Sequence, residues 1–579
     1  MQIIRDLVNS SLRKLELEIV EFSVTHPKEE SHGDYSVNVA MILAKQVGKN
    51  PRDLAQEIVE ILNKEQRTSN IVQKIEVAGP GFINFYLKTE FLIDEAKKAV
   101  EAGYGRNDKL AAQKTMVEFT DPNPFKEFHI GHLMSNTIGE SLCRIFEANG
   151  ATVKRVNYQG DIGLHVAKSI WGWQRKMSED GMSLEKLSVL GIKERIVYLG
   201  AAYAYGATKY EEDSPAGELA KSEMNALNKV IYDKSDKTVD EQYVLGRKWS
   251  LDYFETIYER LGTKFEEYFF ESEEGPKGLR VVEEGLESGV LELGESGAVV
   301  FRGEQYGLHT RVFRNKLGLP TYEAKELALP RSKYERWGYD KSFIITANEI
   351  DEYFKVLLKV LSLLSPDLGG KTTHLSHGIM KLTTGKMSSR TGKVVTGEGL
   401  LNELKEVVLK KMGEREISNR DVVADQVAVA SLKYSVLKQA IGGDIVYEPE
   451  KMTNLEGDTG PYLQYTYART QSVIQKAVGE NKEQGILNTE ELRGFDPNSE
   501  ELSILKWIYR YPEVVAEAGE KFAPQMIAGY IFELSQRFNS FYSQHQIVGN
   551  EARIFLTTIT ANVLESGLNL LGIKAPSEM

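Results

Sequence analysis

Residues 117–150 read VEFTDPNPFKEFHIGHLMSNTIGESLCRIFEANG, and this order of residue types decides the fold. The apolar run Met116 to Phe119 predicts a strand. Asp121, Pro122, Asn123 and Pro124 predict a turn, and His129-Ile130-Gly131-His132 opens a helix that Asn149-Gly150 stops. Strand, loop and helix in this order belong to an open parallel sheet. There the loop lies at the carboxyl end of the strand, where ligands bind, and the free N–H groups of the helix face them. Two imidazoles one helical turn apart can both reach an anion at that end, with Gly131 keeping the space between them clear. The expected site is a nucleotide-phosphate cradle; a pair of surface or metal-binding histidines is the alternative. Far down the chain, Lys386-Met387-Ser388-Ser389-Arg390-Thr391-Gly392 is a glycine-flanked basic loop able to bring a lysine to the same phosphates from the other half of the sheet.

The bulk of the sequence is that of an ordinary soluble chain. Its 579 residues are enough for three or more domains, with 41% hydrophobic and 27% charged residues, 16 prolines and 49 glycines. The single cysteine, Cys143, falls within the helix after the paired histidines. It excludes a disulfide framework and a structural zinc of cysteines, and it is expected in the core. No apolar run reaches the ~18 residues of a membrane span, and the opening MQIIRDLVNSSLRKLELEIV is patterned as an amphipathic helix, so a cytoplasmic enzyme is expected. The formal charge of −13 argues against loose, sequence-blind nucleic-acid binding. It is compatible with a partner recognised by shape and particular bases, through cations gathered on one face. Two nucleotide motifs are excluded. Gly369-Gly370-Lys371-Thr372 ends like a Walker A loop, but Ser365 stands where its first glycine belongs, and Gly79-Pro80-Gly81 lacks dinucleotide-fingerprint spacing.

His129-Ile130-Gly131-His132 followed by Lys386-Met387-Ser388-Ser389-Arg390 resembles the class I aminoacyl-tRNA synthetases. Four further segments narrow the resemblance to arginyl-tRNA synthetases: Gly33 to Ala40; Gly79 to Leu87; Asn157-Tyr158-Gln159-Gly160-Asp161-Ile162-Gly163; and Gly457 to Arg469. The implied architecture is multidomain. A small α+β domain over residues 1–108 would contact tRNA. A Rossmann-like parallel-sheet catalytic domain would span 109–395, with a polar, mostly helical insertion at about 171–302. An all-helical domain would occupy 396–579, with its anticodon-binding bundle from about 455. In the first domain, a Gly-Pro-Gly turn joins two strand-like runs, a helix starts at Pro51, and Tyr35 and Phe82 are candidates for its core.

The resemblance also implies the chemistry: arginine and ATP give arginyl-adenylate and pyrophosphate, and the arginyl group passes to the terminal adenosine of tRNA(Arg), often with arginine activated only when tRNA is bound. His129 and His132 would hold phosphate oxygens, Lys386 would stabilise the transition state, and Gly131, Lys126, Met387, Ser388 and Ser389 would complete the ATP site, with Mg²⁺ carried by ATP. Glu118, Asn123, Tyr322 and Glu326 map onto the arginine-binding positions, a forked carboxylate suiting a planar guanidinium. Family members often carry Asp where Glu326 stands, Arg where Met134 stands and a second lysine where Ser389 stands. Asp161 and Asn348 are further pocket candidates; Asp161 either bonds a ribose or substrate group or shapes its turn. In the last third, Ile527, Ile531, Leu534, Phe538 and Phe541 form the stripe of a buried helix face. Arg537, Asn539, Tyr542 and Gln544 beside it are candidates for anticodon bases. A monomer with no membrane contact is expected. The alternatives are another class I synthetase, a small nucleotidylyltransferase, which shares the paired histidines, and a silent tRNA-binding relative.

Overall fold

The computed structural model describes residues 1–382, 396–413, 418–480, 492 and 494–579. They form two compact units. One holds Met1–Gly105, Thr466–Ala516 and Tyr530–Ser566; the other holds Arg106–Tyr465, Glu517–Gly529 and Gly567–Met579.

In the first unit, strands Val24–Thr25, Tyr35–Val37, Phe82–Leu87 and Val72–Ala78 lie side by side in that order, all antiparallel. The predicted Gly-Pro-Gly turn joins the last two. Helix Pro51–Asn63 starts at its proline, behind an Asn50 side chain that accepts from the Arg52 N–H. Tyr35 is buried as expected, but Phe82 is 37% exposed. Phe82 begins its strand at the edge of the turn, where no element covers its outer face. Within the same unit Asp34 pairs with Lys506 at 2.9 Å, and the Tyr35 hydroxyl donates to Glu513 at 2.9 Å. The amino-terminal module and these helical residues are thus one packed body. Ile531, Leu534, Phe538 and Phe541, like Ile527 of the second unit, are fully buried.

The second unit is built on a five-stranded parallel sheet. Its strands are Lys114–Glu118 (β1), Thr152–Gln159 (β2), Glu267–Phe270 (β3), Lys341–Ala347 (β4) and Thr372–His377 (β5), in the spatial order β3-β2-β1-β4-β5. The order reverses between β1 and β4, so the ligand crevice of such a sheet lies at their carboxyl ends. β3 lies inside the segment expected as an insertion, so the helical insert ends at Leu261 and the sheet resumes well before Arg302. Glu-Tyr-Phe-Phe is a four-residue edge strand set among charged residues, too short for its period to show. Gly369-Gly370-Lys371 closes a short helix that runs into β5, the reverse of P-loop order.

Helix Ile130–Ala148 (α1) packs on the sheet through Gly139, where a Cβ would overlap the Phe119 ring. Gly139→Val should therefore cost about 1–3 kcal/mol of stability by overpacking. Urea unfolding checks this, and an unchanged midpoint would show that α1 can shift without penalty. The middle of α1 is also wired to distant chain. Ser141 Oγ donates to the Leu570 carbonyl at 2.9 Å, and Arg144 reaches the Asn569 carbonyl at 3.1 Å and that of Gly262 at 3.0 Å. Cys143 beside them is buried, as expected.

Candidate active site

The loop after β1 is held in a conformation that most residues avoid. Thr120, Asp121 and Phe125 have φ of +81°, +45° and +68°, left-handed values that cost of order 1–3 kcal/mol each without glycine. Named hydrogen bonds over-determine them. The Thr120 N–H donates to Ser135 Oγ at 2.9 Å and the Tyr158 N–H to Asp121 Oδ1 at 2.8 Å. The Phe125 N–H donates to Ser250 Oγ at 2.9 Å. This loop delivers the chain to His129, the residue that caps α1.

There the two imidazoles form a reciprocal cap. The Gly131 N–H donates to His129 Nδ1 and the His129 N–H donates to His132 Nδ1, both at 3.1 Å, while the rings stack with centroids 3.6 Å apart. Because each Nδ1 accepts, a neutral ring carries its proton on Nε2, leaving that N–H for an outside acceptor. Burial, then the charge of Lys126, pushes His129 down to about 4. His132 is driven well below the usual imidazole range by burial, then by His129 and Lys126. Both rings are therefore neutral donors at pH 7. A Cβ at Gly131 would stand 3.1 Å from His129 Cε1 and press on that ring, so the glycine keeps the corner open. NMR titration is expected to place the His129 midpoint at about 4; a midpoint above 7 would rule out the neutral pair.

Lys126 lies with its ammonium 5.4 Å from the centre of the Tyr203 ring. Burial pulls its pKa down; Glu271 opposes that and Lys168 adds to it. Lys386, Met387, Ser388 and Ser389 lie outside the described residues. The chain beyond them returns to the histidine corner, where Thr396 bridges His129 and the Gly397 N–H donates to the Phe128 carbonyl at 2.6 Å.

Next to the corner, at the carboxyl end of β1, lies a buried acidic cluster. Glu118, the last residue of β1, is 2% exposed and ion-paired with Lys333, itself 1% exposed. Lys333 belongs to helix Tyr322–Arg336 (α2), which also carries Tyr322 and Glu326. Glu326 makes no hydrogen bond or ion pair among the described residues. Burial first, and then the charge of Glu118, raise its pKa well above the usual carboxylate range, with Lys333 opposing. Asp121 is raised by the same two causes in the same order. The buried hydroxyls of Tyr158 and Tyr353 have no hydrogen-bonding partner among the described residues, and both feel the charge of Glu326. Buried polar groups without partners are costly, and a uncommitted carboxylate among hydroxyls is the complement of a guanidinium.

The remaining sequence candidates divide. Asn123 reaches toward Gly160, where a Cβ would overlap its side-chain oxygen, and Tyr322 is 58% exposed at the start of α2. Asn348 is exposed just past the end of β4. Asp161 is fully buried and bonded to Tyr243 Oη at 2.8 Å, Ser272 Oγ at 2.7 Å and the Ser272 N–H at 2.9 Å, with Arg247 at 3.1 Å. Of its two readings, the shaping of the turn is the one these bonds support. Arg537 stacks 3.9 Å over Trp507 and pairs with Glu30 at 3.1 Å; Asn539 bonds Thr466 at 2.9 Å and accepts from Arg469. Tyr542 and Gln544 are exposed. Sequence reasoning missed Lys333, Tyr158 and Tyr353. Only Lys333 left a signal, its place two helical turns beyond Glu326 on one face.

A parallel sheet reversing at β1 and β4, a double-imidazole helix cap and an acidic pocket beside it define the catalytic domain of a class I aminoacyl-tRNA synthetase. Three family models match the chain: "Arginyl tRNA synthetase N terminal domain" over residues 2–87, "tRNA synthetases class I (R), catalytic domain" over 97–448 and "DALR anticodon binding domain" over 463–579. The arginine–tRNA ligase of Fusobacterium nucleatum is 31% identical, covering 97% of this chain and 96% of its own. That of Parabacteroides distasonis is 30% identical, covering 92% and 91%. The arginyl-tRNA synthetase structures of Thermus thermophilus and Plasmodium falciparum share the fold, with TM-scores of 0.78 and 0.77. Each is 21% identical and covers all of this chain, with 100% and 99% of the respective structures matched. The chain belongs to the arginyl-tRNA synthetase family.

Proposed function

We propose that the chain is an arginine–tRNA ligase that activates L-arginine with ATP and transfers it to the terminal adenosine of tRNA(Arg). The observation that carries this is Glu326, a half-buried carboxylate with no partner of its own among the described residues, on the helix whose Lys333 pairs with Glu118 at the end of β1. In the first step a carboxylate oxygen of arginine attacks the α-phosphorus of ATP. A P–O bond forms, the bond to the β-phosphate breaks, and pyrophosphate leaves with that electron pair. In the second step a ribose hydroxyl of the terminal adenosine attacks the arginyl carbonyl, and AMP departs.

The protein's part is positioning and charge. His129 and His132 donate from Nε2 to phosphate oxygens, Gly131 keeps them clear, and Lys126 adds charge. Lys386 meets the same phosphates with Met387, Ser388 and Ser389. It precedes Thr396, which pairs with His129, by ten residues. Glu326 takes the guanidinium, and Glu118, Asn123, Tyr322 and Asn348 surround the rest of the amino acid. Among the described residues no three His, Cys, Asp or Glu side chains gather to hold a metal ion. Mg²⁺ would be carried on the ATP phosphates and would offset their charge. Tyr542 and Gln544 are the candidates for anticodon bases, with Arg537 and Asn539 supporting them. The division into residues 1–108, 109–395 and 396–579, a monomer and a cytoplasmic setting complete the proposal. Among the described residues no helix is long and apolar enough to cross a membrane.

Pyrophosphate exchange into ATP, with and without tRNA(Arg), tests it. Exchange and tRNA charging with arginine are expected. Exchange driven by another amino acid would overturn the specificity, and adenylyl transfer with no amino acid would favour a nucleotidylyltransferase.

A further inference from the structure

We infer that Lys333 is a positioning residue of the arginine pocket: its buried ammonium pins the Glu118 carboxylate at the end of β1 and leaves Glu326 as the carboxylate free for the guanidinium. The inference rests on the arginine reading given above. Lys333 and Glu118 are 1% and 2% exposed, and Glu118 Oε2 and Lys333 Nζ have no other hydrogen-bonding partner among the described residues. A lone ammonium in such a place sheds its proton and a lone carboxylate gains one, so each charge depends on the other. The pair also joins the two elements that build the pocket. Glu118 sits in register between Val156 of β2 and Ile344 of β4, and Lys333 shares a helix face with Tyr322 and Glu326, at spacings of four and seven residues.

The cluster has more acid than base. The groups whose electrostatic interaction with Glu118 is resolved are Asp121 from the loop, Tyr158 from β2, Glu326 and Lys333 from α2, and Tyr339 beyond it. Lys333 is the one cation that contacts Glu118 among the described residues. With it in place, Glu118 is matched internally, and the charge still wanted by Glu326 is supplied by the substrate. Without it, three carboxyl groups face one another in a dry site, and protons settle on them. A pocket holding those protons no longer favours a cation.

The test is the pH dependence of aminoacylation by the full chain over about pH 6–9, with kcat and KM for arginine separated at each point and thermal unfolding in parallel. Lys333→Met should raise KM more than it lowers kcat and move the acid limb of kcat/KM upward by about 1–3 pH units. Lys333→Arg, which keeps the charge, should keep the wild-type profile. A folded Lys333→Met variant with wild-type KM and limb would overturn the inference, as would a shifted limb in Lys333→Arg. Should Lys333→Met fail to fold, Lys333→Gln, which removes the charge and keeps a polar side chain, decides. A KM for arginine raised about tenfold or more supports the positioning role, and a wild-type KM reduces the pair to scaffolding. A wild-type chain that does not charge tRNA with arginine would fail the functional reading itself, which is a separate result.

Discussion

Glu326→Gln lowers kcat/KM for arginine by about 10²- to 10³-fold, the loss expected when one partner of a buried charge pair is removed. The side chain keeps its size and its place on α2, so what disappears is the charge. Burial and then Glu118 raise the pKa of that carboxyl group well above the usual carboxylate range, and the arriving guanidinium opposes the shift by pairing with its charged form. The glutamine variant cannot respond in this way, and its discrimination between arginine and neutral citrulline should narrow with the loss. Glu326→Asp, which keeps the charge on a shorter side chain, should recover most of the activity. Steady-state aminoacylation with both variants measures the effect. If KM for arginine were unchanged in Glu326→Gln, the guanidinium would have to sit elsewhere.

His132→Ala slows adenylate formation by about 10²- to 10³-fold, the range for losing one preorganised donor at a developing charge. The ring does more than donate. Its Nδ1 accepts from the His129 N–H at 3.1 Å and its face stacks on His129 at 3.6 Å, so truncation also frees the neighbouring imidazole. Lys386→Ala should show a loss of similar size, with arginine affinity preserved, because its contact is with the phosphates. Single-turnover pyrophosphate exchange separates the two effects. A His132→Ala enzyme with wild-type exchange would remove the double-imidazole corner from the mechanism.

Much of this site was legible in local sequence. Strand, turn, cap and helix each follow from residues within a few positions of one another, so Met116 to Gly150 predicted β1, its loop and α1. Asn149 closes the helix and Gly150 follows at φ +93°, as the Asn-Gly pair implied. The Walker A match failed on spacing, and the helix-to-strand order there agrees. The parts that could not be read depend on contacts across long stretches of chain. Asp161 is saturated by Tyr243 and Ser272, far along the sequence. Glu118 meets Lys333 only because α2 packs beside the sheet. β3 was hidden because four residues carry too little pattern, and the left-handed Thr120 and Phe125 because neither residue type advertises such a backbone.

The bonds from α1 to Asn569 and Leu570 join positions separated by 425 and 429 residues. A ribosome makes Ser141 and Arg144 more than four hundred residues before the chain that bonds them. Until then the helix lacks its outer brace, and the long span raises the entropy cost of closing the contact. The helix that carries the histidine corner therefore completes its packing well after its own residues are made.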